Sequence, residues 1–348
     1  MTVLVLNGYD LKCKKYSNHL LIEKTELNNE NEKEIRRYRQ PITELTGVIL
    51  EDYVYIAPAA VIMLIEENIP IIRIHNNELI GITHSFAGSG TVITRRAQFL
   101  AFLGPKGMYL AKMFVYSGLL NKANLLLSYG KNRSDEIKEN LKGLATEIRD
   151  IGQQVKEMTE ERTIDESRMY LMALEARGAK IYLQGIISIL PEQYNFNNRN
   201  RRPPRDPINA ALSYGYAILN AQTLLAVIGS GLDPYGGFLH VDRSGRTSLS
   251  IDIAEEFRQS VVDRVVFTKA IRNEFDVTKD FSYEGATVLL NQAGKRKLVE
   301  GIEERLELQV EDKAGKVKMK GLILRQARRI IHYLLDKKDY YHPYIMDW

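Results

Sequence analysis

RRAQFLAFLGPKGMYLAKMFVYSGLLNKANLLLSYG, Arg95 to Gly130, is the stretch on which the fold turns. Its apolar residues recur at three and four positions, first over Arg95 to Leu103 and then over Met108 to Tyr129, which is the helical period. The residues before it read differently. Thr2 to Leu6 is β-branched and apolar, and Asn7-Gly8 after it reads as a hairpin turn. Leu20 to Ile22, Val48 to Leu50, Val54 to Ile56, Pro70 to Ile74 and Leu79 to Thr83 are further short strands, with a short helix over Ala59 to Glu67. The charged segment Glu23 to Gln40 reads as a solvated loop or hairpin, and Gly88 to Gly90 closes the region. A β-rich domain of this size has little core of its own, so it is expected to lean on the rest of the chain or on a second subunit.

Beyond Gly130 the helical reading continues. Lys131 to Asp165 holds one or two amphipathic helices, and Glu166 to Ile189 another. Pro191 to Pro207 contains four prolines, four arginines and four asparagines, a composition that cannot pack a core and reads as a loop. Helices follow over Ile208 to Val227, Ser250 to Thr268 and Gly321 to Leu335, with the turn-rich GSGLDPYGGFLH before the second of these. The expected fold class is α+β: a small β-rich domain over 1–90 and a large, mainly α-helical domain over 91–348.

The 348 residues are 45% hydrophobic and 26% charged, an ordinary globular balance that excludes disorder and fibrous repeats as the main description. The single cysteine, Cys13, excludes an internal disulfide and suits a reducing compartment. No run of 18 uninterrupted apolar residues occurs, and the N-terminus does not read as a leader, so the expectation is a soluble, cytoplasmic protein with no membrane span. Forty-eight basic against 44 acidic residues leave a formal charge of only +4, so any nucleic-acid surface must come from distribution. Residues 95–133 include Arg95, Arg96 and Lys122 and no acid, residues 313–333 include Arg325, Arg328 and Arg329 and no acid, and the loop adds Arg199, Arg201, Arg202 and Arg205. Such runs can hold phosphates if the fold brings them together.

Acids in apolar surroundings are the other signal. On a helix, Asp252, Glu255 and Asp263 of SIDIAEEFRQSVVD share a side, and Glu256 lies near it. They could be paired with arginines such as Arg258, or simply solvated, or bind a cation. His240 ends a glycine-rich turn twelve residues before Asp252. Two carboxylates and an imidazole suit Mn²⁺, tolerate Mg²⁺ and leave Zn²⁺ chemically possible. Glu175 sits in the apolar LMALEARGAKIYL among small residues that invite a close neighbour, and needs either an ion-pair partner such as Arg177 or Lys180, or a ligand.

The motifs RRAQF, LEARGAKIYL, FNNRNRRPPRDPINAALSYGYAIL, GLDPYGGFLH, SLSIDIAEEFRQSVVD and LRQARRI follow one another over essentially the whole chain. In that order and spacing the chain resembles the CRISPR-associated spacer-integration endonucleases of the adaptation module. The resemblance implies a divalent metal, Mg²⁺ or Mn²⁺, on Glu175, His240 and Glu255, with Asp252 as a neighbouring catalytic acid. Tyr182 stands where tryptophan is frequent in that family, and Glu255 where aspartate is. It further implies metal-dependent phosphodiester transesterification that inserts spacer DNA into a repeat array, with nicking of double-stranded and branched DNA. The working unit would be a homodimer formed through the β-rich domain and joined by the small second universal adaptation protein. The loop Tyr194 to Pro207 would be mobile without DNA, and Arg95, Arg96, Arg199, Arg201, Arg202, Arg205, Arg325 and Arg328 are the expected DNA contacts. The alternatives are a non-catalytic DNA-binding scaffold and an unrelated metal-dependent phosphoesterase.

Overall fold

The computed structural model describes residues 2–8, 10–27, 32–76, 78–85, 92–240, 243–312 and 315–347; the glycines at 88 and 90, read above as closing the first region, lie outside them. The chain divides into two compact units, Met1–Ser89 and Gly90–Trp348.

The first unit runs β1 (Thr2–Asn7), β2 (Leu11–Tyr16), β3 (His19–Leu27), β4 (Lys33–Pro41), β5 (Leu45–Glu51), β6 (Tyr55–Ile56), α1 (Pro58–Glu66), β7 (Ile71–His75) and β8 (Glu78–Thr83). Two four-stranded sheets result, in the orders β1-β5-β7-β8 and β4-β3-β2-β6. Asn7-Gly8 does not make a hairpin. β1 pairs in parallel with β5, and β2 opens the other sheet. Gly8, at φ +134°, supplies the bend, but the partner of β1 is chosen by the buried run Val48–Leu50, far along the chain. The charged segment is a hairpin, with β3 and β4 antiparallel. Its charges answer one another: Glu23 meets Lys14 at 2.6 Å and Arg37 at 3.2 Å. β2 was not anticipated, although its inward residues Leu11 and Cys13 alternate with lysines. Cys13 is fully buried, and burial pushes its thiol up to about 12.

The second unit is helical: α2 (Val92–Phe102), α3 (Pro105–Gly130), α4 (Asp135–Glu157), α5 (Ile164–Ile187), α6 (Pro207–Gly229), α7 (Ser248–Ala254), α8 (Arg264–Ile271), α9 (Gln292–Glu307) and α10 (Met319–Leu334). The short pairs β9 (Phe281–Glu284) with β10 (Thr287–Leu290), and β11 (Gln309–Val310) with β12 (Val317–Lys318), are antiparallel. α4 buries one stripe through Leu141, Ala145, Ile148, Gly152 and Val155 and keeps a charged outer face. α5 begins on a capping box between Thr163 and Glu166. α6 starts at Pro207 with Asp206 accepting from the Asn209 backbone amide at 2.8 Å. Among the described residues α6 is the one helix long and apolar enough to cross a membrane, but 78% of its apolar window is buried inside the unit, as in a core helix.

The region expected as one helix over Ser250 to Thr268 is interrupted. Between α7 and α8 the segment Arg258–Asp263 is a π turn. Each π turn takes up an extra residue, so the positions after it rotate by about 100° relative to a continuous α-helix. Asp263 therefore leaves the side it would have shared with Asp252.

The α9 start packs tightly enough to test. A Cβ on Gly294 would lie 2.2 Å from the backbone oxygen of Asp280. Gly294→Ala is expected to destabilise the chain by about 1–3 kcal/mol, read by urea denaturation; an unchanged midpoint would contradict this packing.

Candidate functional site

The site begins at a buried carboxylate. Asp252 on α7 is fully buried. Its Oδ2 accepts from the backbone amides of Phe238 at 2.6 Å and Leu239 at 3.0 Å, and its Oδ1 from the His240 amide at 3.1 Å. The same Oδ1 lies 2.6 Å from His240 Nδ1. An ionised carboxylate only accepts, so Nδ1 carries the proton and Nε2 is turned outward. The turn comes this close because residue 237 is glycine: a Cβ there would stand 2.6 Å from Ser248 Cβ and 3.0 Å from Asp252 Oδ2. Gln98 clamps the other side of the turn, donating to the carbonyls of Asp233 at 2.8 Å and Gly236 at 2.6 Å and accepting from the Asp233 amide at 2.9 Å. Gln98 lies in the motif RRAQF, where nothing local to it marks this role.

His240 Nε2 lies 3.8 Å from Glu255 Oε1. Glu255, just past α7, is also bonded by Arg258. Burial acts to raise its carboxyl, but Arg258, then His240, Lys122 and Arg201, hold it below the usual carboxylate range. Glu255 lines a cavity of about 650 Å³ shared with Glu175, Asp263, Lys122, Arg199, Arg201 and Arg258. Glu175 pairs there with Lys122 at 3.3 Å, while Arg177 and Lys180, the partners its own helix offered, are exposed. A lysine buried in the apolar α3 needs a counter-charge, a requirement already visible in the sequence. The expected close neighbour of the small residues is α3: a Cβ on Gly178 would meet Leu119 at 2.1 Å.

Asp263 closes the cavity floor, accepting from Tyr182 at 2.9 Å and Tyr216 at 2.5 Å. Burial raises its carboxyl against those two phenol donors. The Tyr216 ring lies beneath two guanidinium groups, Arg199 at 5.6 Å and Arg258 at 5.2 Å. The Nε atoms of Arg199 and Arg258 are buried without an acceptor.

The predicted acids and imidazole are thus brought together in part. Glu175 and Glu255 share the cavity, His240 approaches Glu255, and Asp252 lies behind His240. Among the described residues no three such groups gather into a cation site. The donor types still fit a divalent ion: two carboxylates face one space, and the Asp252 bond leaves His240 Nε2 directed toward Glu255. Of the predicted DNA contacts, Arg201 lines the cavity, and Arg199 does so while donating to Asn209 at 2.7 Å and Ser213 at 3.1 Å. Arg95, Arg96, Arg202, Arg205 and Arg328 are exposed. Arg325 turns to Asp312 at 3.1 Å.

Fold and site together define a two-unit α+β protein with an acid-bearing, arginine-walled centre in its helical unit. Residues 4–304 match the family described as CRISPR associated protein Cas1. A relative from Archaeoglobus fulgidus, named CRISPR-associated endonuclease Cas1 1, is 32% identical over 355 residues and aligns over 99% of both chains. The chain belongs to the Cas1 family. Its fold is also that of a casposase bound to integration product, with a TM-score of 0.81, 24% identity and coverage of 98% of this chain and 92% of that one. A Cas6-RT-Cas1–Cas2 complex contains a similar fold, with a TM-score of 0.79 at 22% identity, covering 99% of this chain and 36% of that one.

Asp252→Asn keeps the shape but replaces an all-accepting carboxylate by an amide with two donors. It is expected to lower unfolding free energy by about 2–4 kcal/mol and to disturb the His240 ring, visible in its imidazole NMR shifts. A variant with wild-type stability and an unshifted imidazole would remove Asp252 from this role.

Proposed function

We propose that this chain is a CRISPR-adaptation integrase and endonuclease: a divalent-metal-dependent enzyme that transesterifies phosphodiesters to insert spacer DNA and also nicks DNA. One observation carries the reading. Glu175 and Glu255, far apart in sequence, open onto a single cavity that Lys122, Lys180, Arg199, Arg201 and Arg258 also line, with the buried Nε donors of Arg199 and Arg258 lacking an acceptor. A phosphate of the DNA backbone is the ligand that such donors match.

In the reaction, a DNA 3′-oxygen forms a bond to phosphorus, the bond from phosphorus to the leaving 3′-oxygen breaks, and the proton released to solvent by the attacking hydroxyl is matched by one that solvent gives to the leaving oxygen. Arg199, Arg201 and Arg258 hold the phosphate oxygens and meet the charge that develops on them. Tyr216, held by Asp263, supports both guanidinium groups from below. Asp252 keeps His240 in a single tautomer with Nε2 toward Glu255. The residues that would hold Mg²⁺ or Mn²⁺ are Glu175, His240 and Glu255, and the ion would supply charge neutralisation at phosphate and a more acidic attacking hydroxyl.

Double-stranded and branched DNA are the substrates of this reading, with the exposed Arg202 and Arg205 beside the cavity's own Arg201. The small second adaptation protein is its partner, a reading supported by the Cas1–Cas2 assembly noted above. The β-rich unit is the homodimer contact, and the mainly buried α6 suits a cytoplasmic enzyme.

Strand transfer into supercoiled DNA, run with Mg²⁺, Mn²⁺ or EDTA, tests the chemistry. Glu175→Ala, His240→Ala and Glu255→Ala should each reduce turnover roughly 100-fold or more while leaving DNA affinity within a few-fold. Arg201→Ala should weaken binding and lower its salt slope by about one, while slowing turnover less than the loss of any of those three residues. Undiminished activity in EDTA would sink the mechanism. Sedimentation velocity checks the assembly: the expected species is a dimer, and a monomer at micromolar concentration would count against it.

A further inference from the structure

A second cavity, of about 850 Å³, lies elsewhere in the helical unit. It is formed by the end of α3, the turn after it, α8 and α9. Five cationic side chains line it: Arg133, Arg264, Lys269, Arg272 and Arg305. Two carboxylates, Glu274 and Glu304, also line it, and they do not balance the five. Glu274 is engaged with Lys269 at 3.0 Å and Arg272 at 3.8 Å.

The arginines at the α8–α9 wall are the unusual feature. Arg264 Nε is buried and has no acceptor. Arg305 spends its own Nε on the Ser260 carbonyl at 2.9 Å. Burial first, and then the Arg264 charge, lower the Arg305 pKa. Five cations against two carboxylates, with a buried donor left unanswered, are costly unless an anion joins them. None of these residues lines the cavity of Glu175 and Glu255.

We propose that this second cavity is a nucleotide-phosphate site, with Arg264 and Arg305 gripping the phosphate and Arg133 at its rim. Guanidinium forks match phosphate oxygens in pairs. The space far exceeds one phosphate and falls in the range of small-ligand pockets, about 300–1,000 Å³. Tyr129, Val265 and Ile271 supply apolar wall for a sugar or base, and Ser128, Asn132 and Thr268 supply polar contacts. Its phosphate can come from a free nucleotide or from the phosphorylated end of a DNA strand. The site is independent of the reaction assigned above.

Calorimetric titration of the full chain with dATP in EDTA is the test. The wild type should bind one dATP per chain, and Arg264→Gln should weaken binding roughly tenfold. Arg133→Gln at the rim should weaken it several-fold, and it stands in should the Arg264 variant fail to fold. Arg201→Gln, in the other cavity, should bind as wild type. No saturable binding, indifference to both cavity variants, or an equal loss in Arg201→Gln would overturn the proposal. Competition then separates the sources. Displacement of dATP by a 5′-phosphorylated trinucleotide, but not by its 5′-hydroxyl form, assigns a strand end; displacement by neither assigns a free nucleotide.

Discussion

A single buried carboxylate organises the candidate site of this molecule. Asp252 has no contact with solvent, yet three backbone amides and an imidazole converge on its two oxygens. A charge in that position is tolerable only because every donor is in place. The turn over residues 236–240, the tautomer of His240 and the start of α7 are consequently one unit. Gln98 extends it to α2, and Gly237 is the residue that lets backbone and carboxylate approach.

Charge balance organises the remainder of the site. Glu255 is held by Arg258 and approached by His240, and Glu175 is held by Lys122, so each acid of the cavity has a cationic partner. The π turn after α7 makes the arrangement possible. A continuous helix would have put Asp252, Glu255 and Asp263 on one side. The extra residue turns Asp263 onto the two tyrosines, leaving Asp252 with the turn and Glu255 in the cavity. Interruptions of this kind are frequent at functional sites.

The legible parts of the fold were those with a local period. The long helices α3, α5 and α6 follow from apolar spacing, and the charged stretch from Glu23 to Gln40 resolved into a hairpin because its charges pair across strands. β2 was legible too, since Leu11 and Cys13 alternate with lysines, and it was passed over. Asn7-Gly8 misled, because a turn signal states that the chain bends and not which strand it meets next. At the site, Glu175, His240 and Glu255 were singled out by residue type and by resemblance, and Lys122 could have been, as a cation inside an apolar helix. The tyrosines beneath Asp263, the clamp at Gln98 and the convergence of Arg264 and Arg305 on one cavity had no local signal.

Residue order alone determined that the chain has a β-rich start and a helical remainder, and which acids in apolar segments demand a partner, because period and burial cost act over a few neighbouring residues. Tertiary structure alone decided which partner each acid took and where β1 paired. It also decided that one extra residue in a helical turn would separate Asp252 from Asp263. Those outcomes depend on groups tens of residues apart reaching hydrogen-bond distance, and only the packed chain sets such distances.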